Sequence, residues 1–479
     1  MMKSYLTAAL IVCLALLAGC QTVGPDFKPP KMALPDAYRF ITDDAKSVDD
    51  LKWWELFGDP VLHTLVTAAL ENNRDLATAI SRIEEARATY GFTRADEYPT
   101  INISAGGYHG NYSGARSTTT DSNLYISPTL SWELDFWGRY RRASAAARAD
   151  IMASEFSARA VQIGLIADVA SAYYQLLDFR QRLEISKVTL ASRQKSLDII
   201  QKRFARGTIP EIDVNQAQIQ LEIAASAIPQ YERLIAKTEH TLNLLSGRLP
   251  GSIQTSATLA EQSPPPFVPS FLPSALLERR PDIRHSLALL HASNEEIGVA
   301  VAQRFPAISL TGTLGLAHSD FSRMVVQGGV WNGNASLLGP LIDFKKSLRR
   351  VEVAKIQTRQ ALLDYESSVL KAFSEVEDAL VEVDTYRREC GSANRKVAAA
   401  ESAASLSFKR YDKGVSSFLE LLDSERTLFS AKLEYSETKQ CFFNAYVKLY
   451  KVLGGGWISP DDQPAASTDE SQRDSSWFQ

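Results

Sequence analysis

At 479 residues the chain can bury a large core, and its 52 basic and 56 acidic side chains leave a net charge of −4. That balance offers no strongly basic field, so nucleic acid is excluded as the main partner. His63, His109, His240, His285, His291 and His318 show no metal-ligand spacing. No phosphate loop, G-x-S-x-G or dinucleotide fingerprint occurs, so no enzyme, metal site or cofactor is expected. The acids Glu375, Glu377 and Asp378 read as the wet face of a helix.

The N-terminus carries an export signal. Lys3 is the only charge in the first 20 residues, and an apolar run from Leu6 to Leu17 leads into Leu17-Ala18-Gly19-Cys20. Residues 1–19 therefore read as a secretory signal peptide, too short for a comfortable membrane span. The segment resembles a bacterial lipoprotein signal, which makes Cys20 the lipid-bearing first residue of the mature chain and residues 20–58 a lipidated N-terminal segment. Gln21 stands where many inner-membrane lipoproteins carry aspartate, which favours the outer membrane. Beyond Cys20 there is no run of 18 apolar residues, so any membrane crossing has to be a closed β-barrel.

The first structural repeat is expected over 59–247. After a helix come strands within about 98–136, where Leu124, Ile126, Leu130, Trp132, Leu134 and Phe136 alternate with mostly polar residues. Tyr98, Trp132, Trp137, Phe305 and Phe344 fall at strand–helix junctions, as an aromatic girdle would. A long helix is predicted over 138–204, roughly 100 Å at 1.5 Å per residue. Leu165, Val169, Ala172, Leu176, Phe179 and Leu183 recur in it at gaps of four and three, a coiled-coil seam. The helix ends in Arg203-Phe204-Ala205-Arg206-Gly207, and a return helix follows the bend.

A connector over 248–272, with prolines at 264–266 and 269, leads to a second repeat over 273–457. The repeat is legible residue by residue. Arg410-Tyr411-Asp412-Lys413-Gly414 echoes the first bend at 410 − 203 = 207 positions, and Leu277-Glu278-Arg279-Arg280-Pro281-Asp282-Ile283 echoes Leu70–Leu76 at the same offset. Phe305-Pro306 echoes Tyr98-Pro99, and Ile342-Asp343-Phe344 echoes Leu134-Asp135-Phe136 one residue further on. Strands within about 305–344, a long helix over 345–412 with a seam at Val369, Phe373, Val376, Leu380 and Val383, and a bend at 414 are predicted. The fourth strand is expected over Trp331–Phe344, and a polar tail fills 458–479. Gly207 and Gly414 suit the left-handed position past a helix end, with Arg206 and Lys413 beside the carbonyl dipole. Thr208-x-x-Glu211 and Ser417-x-x-Glu420 read as capping boxes restarting the chain. Cys390 and Cys441 lie 24 residues before and 27 after Gly414. That puts them within about 4.5 Å in height, so a disulfide and two unpaired thiols are both open. The fold class is α+β, with duplicated helix–strand–strand–helix–helix halves.

These carriers together resemble the outer-membrane factor family, the TolC-like efflux ducts, in its lipoprotein branch. They are Trp53 to Pro60, the two LExxxDL/I phrases, the Tyr-Pro and Phe-Pro strand entries, Trp132–Gly138, the glycine bends and Leu453–Trp457. The resemblance implies a homotrimer in which 3 × 4 = 12 strands close one transmembrane β-barrel, each protomer adding a four-strand panel. It also implies a long α-helical coiled-coil tunnel through the periplasm. The chain would be the outer-membrane exit duct of a tripartite system, passing substrates from an inner-membrane efflux pump and a periplasmic adaptor (membrane fusion) protein. Arg203, Arg206, Gly207, Thr208, Arg410, Lys413, Gly414 and Ser417 would form the adaptor-docking mouth. Leu419, Glu420 and Asp423 would form the periplasmic gate, with Asp423 in a carboxylate ring. Some relatives latch neighbouring hairpins through an arginine where this chain has Ser416. A periplasmic coiled-coil lipoprotein without a pore is the alternative.

Overall fold

The computed structural model describes residues 22–32, 34–35, 37–40, 54, 57–110, 121–265, 273–319 and 328–455. The signal peptide, Cys20, part of the connector and the polar tail lie outside the described residues.

The elements run α1 (Pro60–Asn72), α2 (Arg74–Ala95), β1 (Thr100–Gly110), β2 (Asp121–Leu134), α3 (Arg139–Ala205) and α4 (Glu211–Leu245). The second half continues with α5 (Pro273–Arg279), α6 (Pro281–Ala302), β3 (Ala307–His318), β4 (Gly329–Leu338), α7 (Lys346–Asp412) and α8 (Phe418–Val452). The duplication is realised to the residue in the helices: α3 and α7 are both 67 residues long, α4 and α8 both 35. Local chemistry starts and stops them. Asp59 caps α1 by accepting from the N–H groups of Val61 and Leu62, ahead of Pro60 at the first helical position. Asn73 separates α1 from α2 and caps the latter through Oδ1 to the Leu76 N–H at 2.9 Å. Gly138 precedes α3 at φ +76°, and its repeat equivalent, Lys345, keeps φ +71° before α7. Asp343 supports that non-glycine turn by accepting from the N–H groups of Lys345 (3.1 Å) and Ser347 (2.9 Å).

The chain folds into two compact units, and neither coincides with a repeat. Of the described residues, one unit contains those of 22–32, 80–157 and 282–368; the other contains those of 34–79, 158–281 and 369–455. Each combines matching segments of both halves, so the halves are sequence repeats and not domains.

The first unit carries one antiparallel sheet in the order β1-β2-β3-β4. Its register sets like against like. Asn102 faces Thr129 and Thr129 faces Thr313, while Trp132 faces Leu310 and Leu314 faces Trp331. Pro128 interrupts the β2–β3 ladder, and the strands pinch there: a Cβ on Gly315 would stand 2.5 Å from the Ile126 carbonyl oxygen. The fourth strand departs from expectation. It runs Gly329–Leu338 and stops before Gly339-Pro340, because Pro340 lacks an N–H for the ladder and a Cβ on Gly339 would meet Pro306 Cα at 2.7 Å. The expected girdle is partial. Trp137 stacks on Phe305 at 4.5 Å and bonds the Pro306 carbonyl, Trp132 bonds the Glu97 carbonyl, and Phe344 stands 94% exposed. Residues 22–27 strap this unit: Arg142, 6% exposed, binds Glu295 (2.7 Å) and Asp26 (3.0 Å), and Phe27 stacks on His291.

The second unit is helical. The predicted seams are its core: Leu165, Val169, Ala172 and Leu176 on α3, and Val369, Val376, Leu380 and Val383 on α7, are buried. Among the described residues α3 alone is long and apolar enough to cross a membrane, and half of its most apolar window is buried inside the protein. Tyr174 stacks on Phe443 at 4.7 Å. Ser436 of α8 donates to Asp178 at 2.6 Å, and the same carboxylate pairs with Arg182. α7 and α8 pack with similar offsets about Gly414, visible in Ser407–Ser424 (2.9 Å) and Lys448–Glu382 (2.6 Å). Cys390 and Cys441 have the same stagger about Gly414 as Ser407 and Ser424, yet both thiols are free. Burial pushes both thiol pKa values up, which keeps the thiolate needed for disulfide exchange scarce.

Candidate functional site

The twin basic-aromatic phrases fold into twin Schellman bends. Thr208 N–H reaches the Arg203 carbonyl (3.1 Å) and Gly207 N–H the Phe204 carbonyl (2.7 Å). Val415 and Gly414 repeat this on Arg410 and Tyr411, both at 3.0 Å. The pattern needs a left-handed residue after the helix, and Gly207 and Gly414 supply it at φ +70° and +71°. Arg206 and Lys413 are exposed beside them.

The expected capping boxes form only in part. Thr208 turns its hydroxyl back onto the Arg203 carbonyl at 2.7 Å, and α4 begins after Pro210, which gives no side-chain cap. Pro210 is the repeat equivalent of Ser417 and has neither a hydroxyl nor an N–H to close a box. Ser417 does cap α8 through the Glu420 N–H. Glu420 does not return to Ser417; its carboxylate binds Arg410 Nε at 3.0 Å.

The bends meet through Arg203. Its guanidinium pairs with Asp412 at 3.1 Å and lies 4.9 Å over the Tyr411 ring. The pair joins the two bends of this chain, while the hydroxyl of Ser416 is buried without a partner. Beneath the bends Leu197, Ile200, Ala217, Leu221, Tyr411, Phe418, Leu421 and Leu422 form one apolar cluster.

Leu419, Glu420 and Asp423 stand on the opposite, exposed face of α8. Leu419 is 63% exposed, whereas Phe418, Leu421 and Leu422 around it are buried. Asp423 is not a bare carboxylate: Arg426, one turn on, binds it at 2.7 Å. Leu419, Leu422, Asp423 and Arg426 line a groove of about 190 Å³ with Gln216, Ile219 and Gln220 of α4. Gln216 and Ile219 sit 207 positions before Asp423 and Arg426, so the groove pairs repeat equivalents that are charged on one helix and neutral on the other. Sequence reasoning missed Arg426, Gln216 and Ile219, although the repeat offset points to each. It also missed Asp59, the hub of the helical unit, which accepts from Tyr173 (2.7 Å), Ser256 (3.1 Å) and Gln262 (2.6 Å) as well as from α1. Among the described residues no group of three or more His, Cys, Asp or Glu side chains is placed to hold a metal ion.

Comparison with known proteins agrees with this architecture. The family model for outer membrane efflux proteins matches residues 65–248 and 272–455, the two repeats. The solvent efflux pump outer membrane protein SrpC of Pseudomonas putida is 35% identical over 457 residues, covering 93% of this chain and 97% of that protein. The cation efflux system protein CusC of Escherichia coli K12 is 32% identical over 452 residues, covering 93% and 98%. Among solved structures, the open-state MtrE outer membrane channel of Neisseria gonorrhoeae superposes with a TM-score of 0.83 at 29% identity, covering 91% of this chain and 98% of that one. The chain belongs to the outer membrane efflux protein family.

Proposed function

We propose that this efflux channel is a lipid-anchored homotrimer serving as the exit duct of a tripartite system. An adaptor docks at its bends, and an inner-membrane pump supplies the cargo. One observation carries this reading: a single protomer has a sheet of four strands with two open edges and bare apolar side chains. β4 is exposed along its whole length, with Trp331 at 82% and Leu337 at 71%; Ile101 and Ile103 on β1 are exposed at 69% and 73%. Open edges cannot stand in lipid, and four strands are too few to close a barrel. Three copies would close twelve strands and cover the edges. A coiled-coil spacer has no use for such a sheet.

The acyl chain on Cys20 adds an anchor beside the barrel. Leu419 and Asp423 are the constriction, with Arg426 compensating the charge of Asp423, so the ring attracts cations less than a bare carboxylate ring would. Relatives' names specify solvents in one case and cations in another, so kinship leaves the cargo class of this duct undefined.

Planar-bilayer conductance of the purified protein beside Asp423→Ala tests the reading. A small wild-type conductance that rises severalfold in the variant is expected. Wild-type conductance unchanged by the substitution would remove Asp423 from the gate. No conductance from folded, inserted protein would overturn the duct itself.

A further inference from the structure

The two hairpins of the sheet repeat each other in register as well as in sequence. Thr100 faces Ser131 in β1–β2 and Ala307 faces Leu338 in β3–β4, so both partners have moved by 207 positions. The same shift carries Gly106–Tyr125 onto Thr313–Asn332. The joint between the hairpins is β2–β3, where the last strand of one half meets the first strand of the next. Its counterpart is missing from a single chain, because β4 has no first strand beside it and β1 no last strand. Exposure records the gap. β3, flanked on both sides, is half-buried along nearly its whole length, whereas β4 is exposed throughout and β1 almost throughout.

The two bare edges also agree on a face. Trp331, Ala335 and Leu337 of β4 stand opposite Leu314, Leu310 and Ile308 of β3. Ile101 and Ala105 of β1 stand opposite Leu130 and Ile126 of β2, which are on the same side of the sheet as Ile308 through the β2–β3 ladder. Each edge therefore presents its apolar residues to one side, at odd-numbered positions.

We propose that β4 of one copy pairs antiparallel with β1 of a second copy, in the β2–β3 register displaced by one repeat. Leu130–Gly312 then becomes Leu337 against the partner's Ala105, and Ser131–Thr311 becomes Leu338 against the partner's Ser104. Both pairs join like faces. A slip of one residue would turn the apolar side of one panel onto the polar side of the next. Face matching thus limits the register to steps of two, and the duplication selects among them. The seam covers Asn332 to Leu338 and ends ahead of Pro340, which has no N–H to extend it. The proposal rests on the homotrimer reading above and adds the geometry of its interface.

Paired cysteines in the full-length protein, with Cys390→Ala and Cys441→Ala as background, test the register. Within one chain β4 and β1 are the opposite edges of the sheet, three strand spacings or about 14 Å apart, so a disulfide between them has to join two copies. Leu338→Cys is combined with Ser104→Cys, and Leu337→Cys with Ala105→Cys. Neighbouring pairs of an antiparallel ladder alternate between wide and close spacing, so one of the two has the close geometry a disulfide needs. Oxidation followed by non-reducing electrophoresis should give covalent dimers and trimers from at least one pair, and none from the single variants. Leu338→Cys with Asn102→Cys or Gly106→Cys, two residues off register, should give severalfold less product. More product from an off-register pair would overturn the register. Light scattering of the detergent-solubilised variants reports the assembly separately. A trimer that none of these pairs links would overturn the edge-to-edge seam, whereas a monomer would overturn the homotrimer reading and the seam with it.

Discussion

Asp59→Ala should be the most damaging single substitution in the helical unit outside its apolar core. The carboxylate is 5% exposed and accepts five hydrogen bonds: two from the start of α1, one each from Tyr173, Ser256 and Gln262. Removing the cap alone costs about 1 kcal/mol. The larger loss is on the partners. Tyr173 is fully buried, and its hydroxyl, held in its neutral form by burial and by the bond to Asp59, loses that carboxylate and keeps only the Ser256 hydroxyl beside it; a buried donor deprived of its acceptor costs about 1–3 kcal/mol. The Gln262 amide, 8% exposed, is stranded as well. The sum is on the order of 3–5 kcal/mol, within the range of broken buried networks. Asp59→Asn should lose less, since asparagine caps helices as well as aspartate does and keeps one acceptor oxygen. Thermal or denaturant unfolding followed by helical circular dichroism should rank wild type above Asn above Ala. Adding Tyr173→Phe to Asp59→Ala should restore about 1–3 kcal/mol by deleting the stranded hydroxyl. An Asp59→Ala protein within about 0.5 kcal/mol of wild type, the spread of ordinary surface changes, would refute the network account.

The bend glycines and Gly138 should respond differently to alanine. At Gly414 nothing lies within 4 Å of an added Cβ, so Gly414→Ala costs only the left-handed backbone, about 1–2 kcal/mol. At Gly138 the Cβ would stand 2.9 Å from Thr22 Cα; Gly138→Ala should therefore also loosen residues 22–27, seen as faster limited proteolysis near the N-terminus. Equal proteolysis of both variants would contradict the strap. Thiol titration of the denatured, unreduced mature protein should count two groups, Cys390 and Cys441, and a count of zero would show that they are bonded.

Much of this fold was determined by the sequence alone, because its signals are local. Seam residues at gaps of four and three, the alternation of Leu124 to Phe136, and glycines at fixed distances from basic residues act over one or two turns of chain. They define the long helices, the second and third strands and both bends within about two residues, and place the first strand only inside a broader window. The duplication adds a second reading of the same pattern, which is why helix ends agree between halves. The chain also states that Leu419 and Asp423 share a helix face and that Arg426 follows one turn later. Tertiary structure decided the rest. Pro210 in place of a serine leaves α4 without the side-chain cap that Ser417 gives α8, and Pro340 with Gly339 cuts β4 short, since each acts through a missing group or a close backbone approach that only packing reveals. Arg203 reaching Asp412, and Asp59 gathering Tyr173, Ser256 and Gln262, join residues more than 100 positions apart. Those pairings depend on how long helices stack side by side, and no periodicity within one helix records which residue of its neighbour will stand opposite.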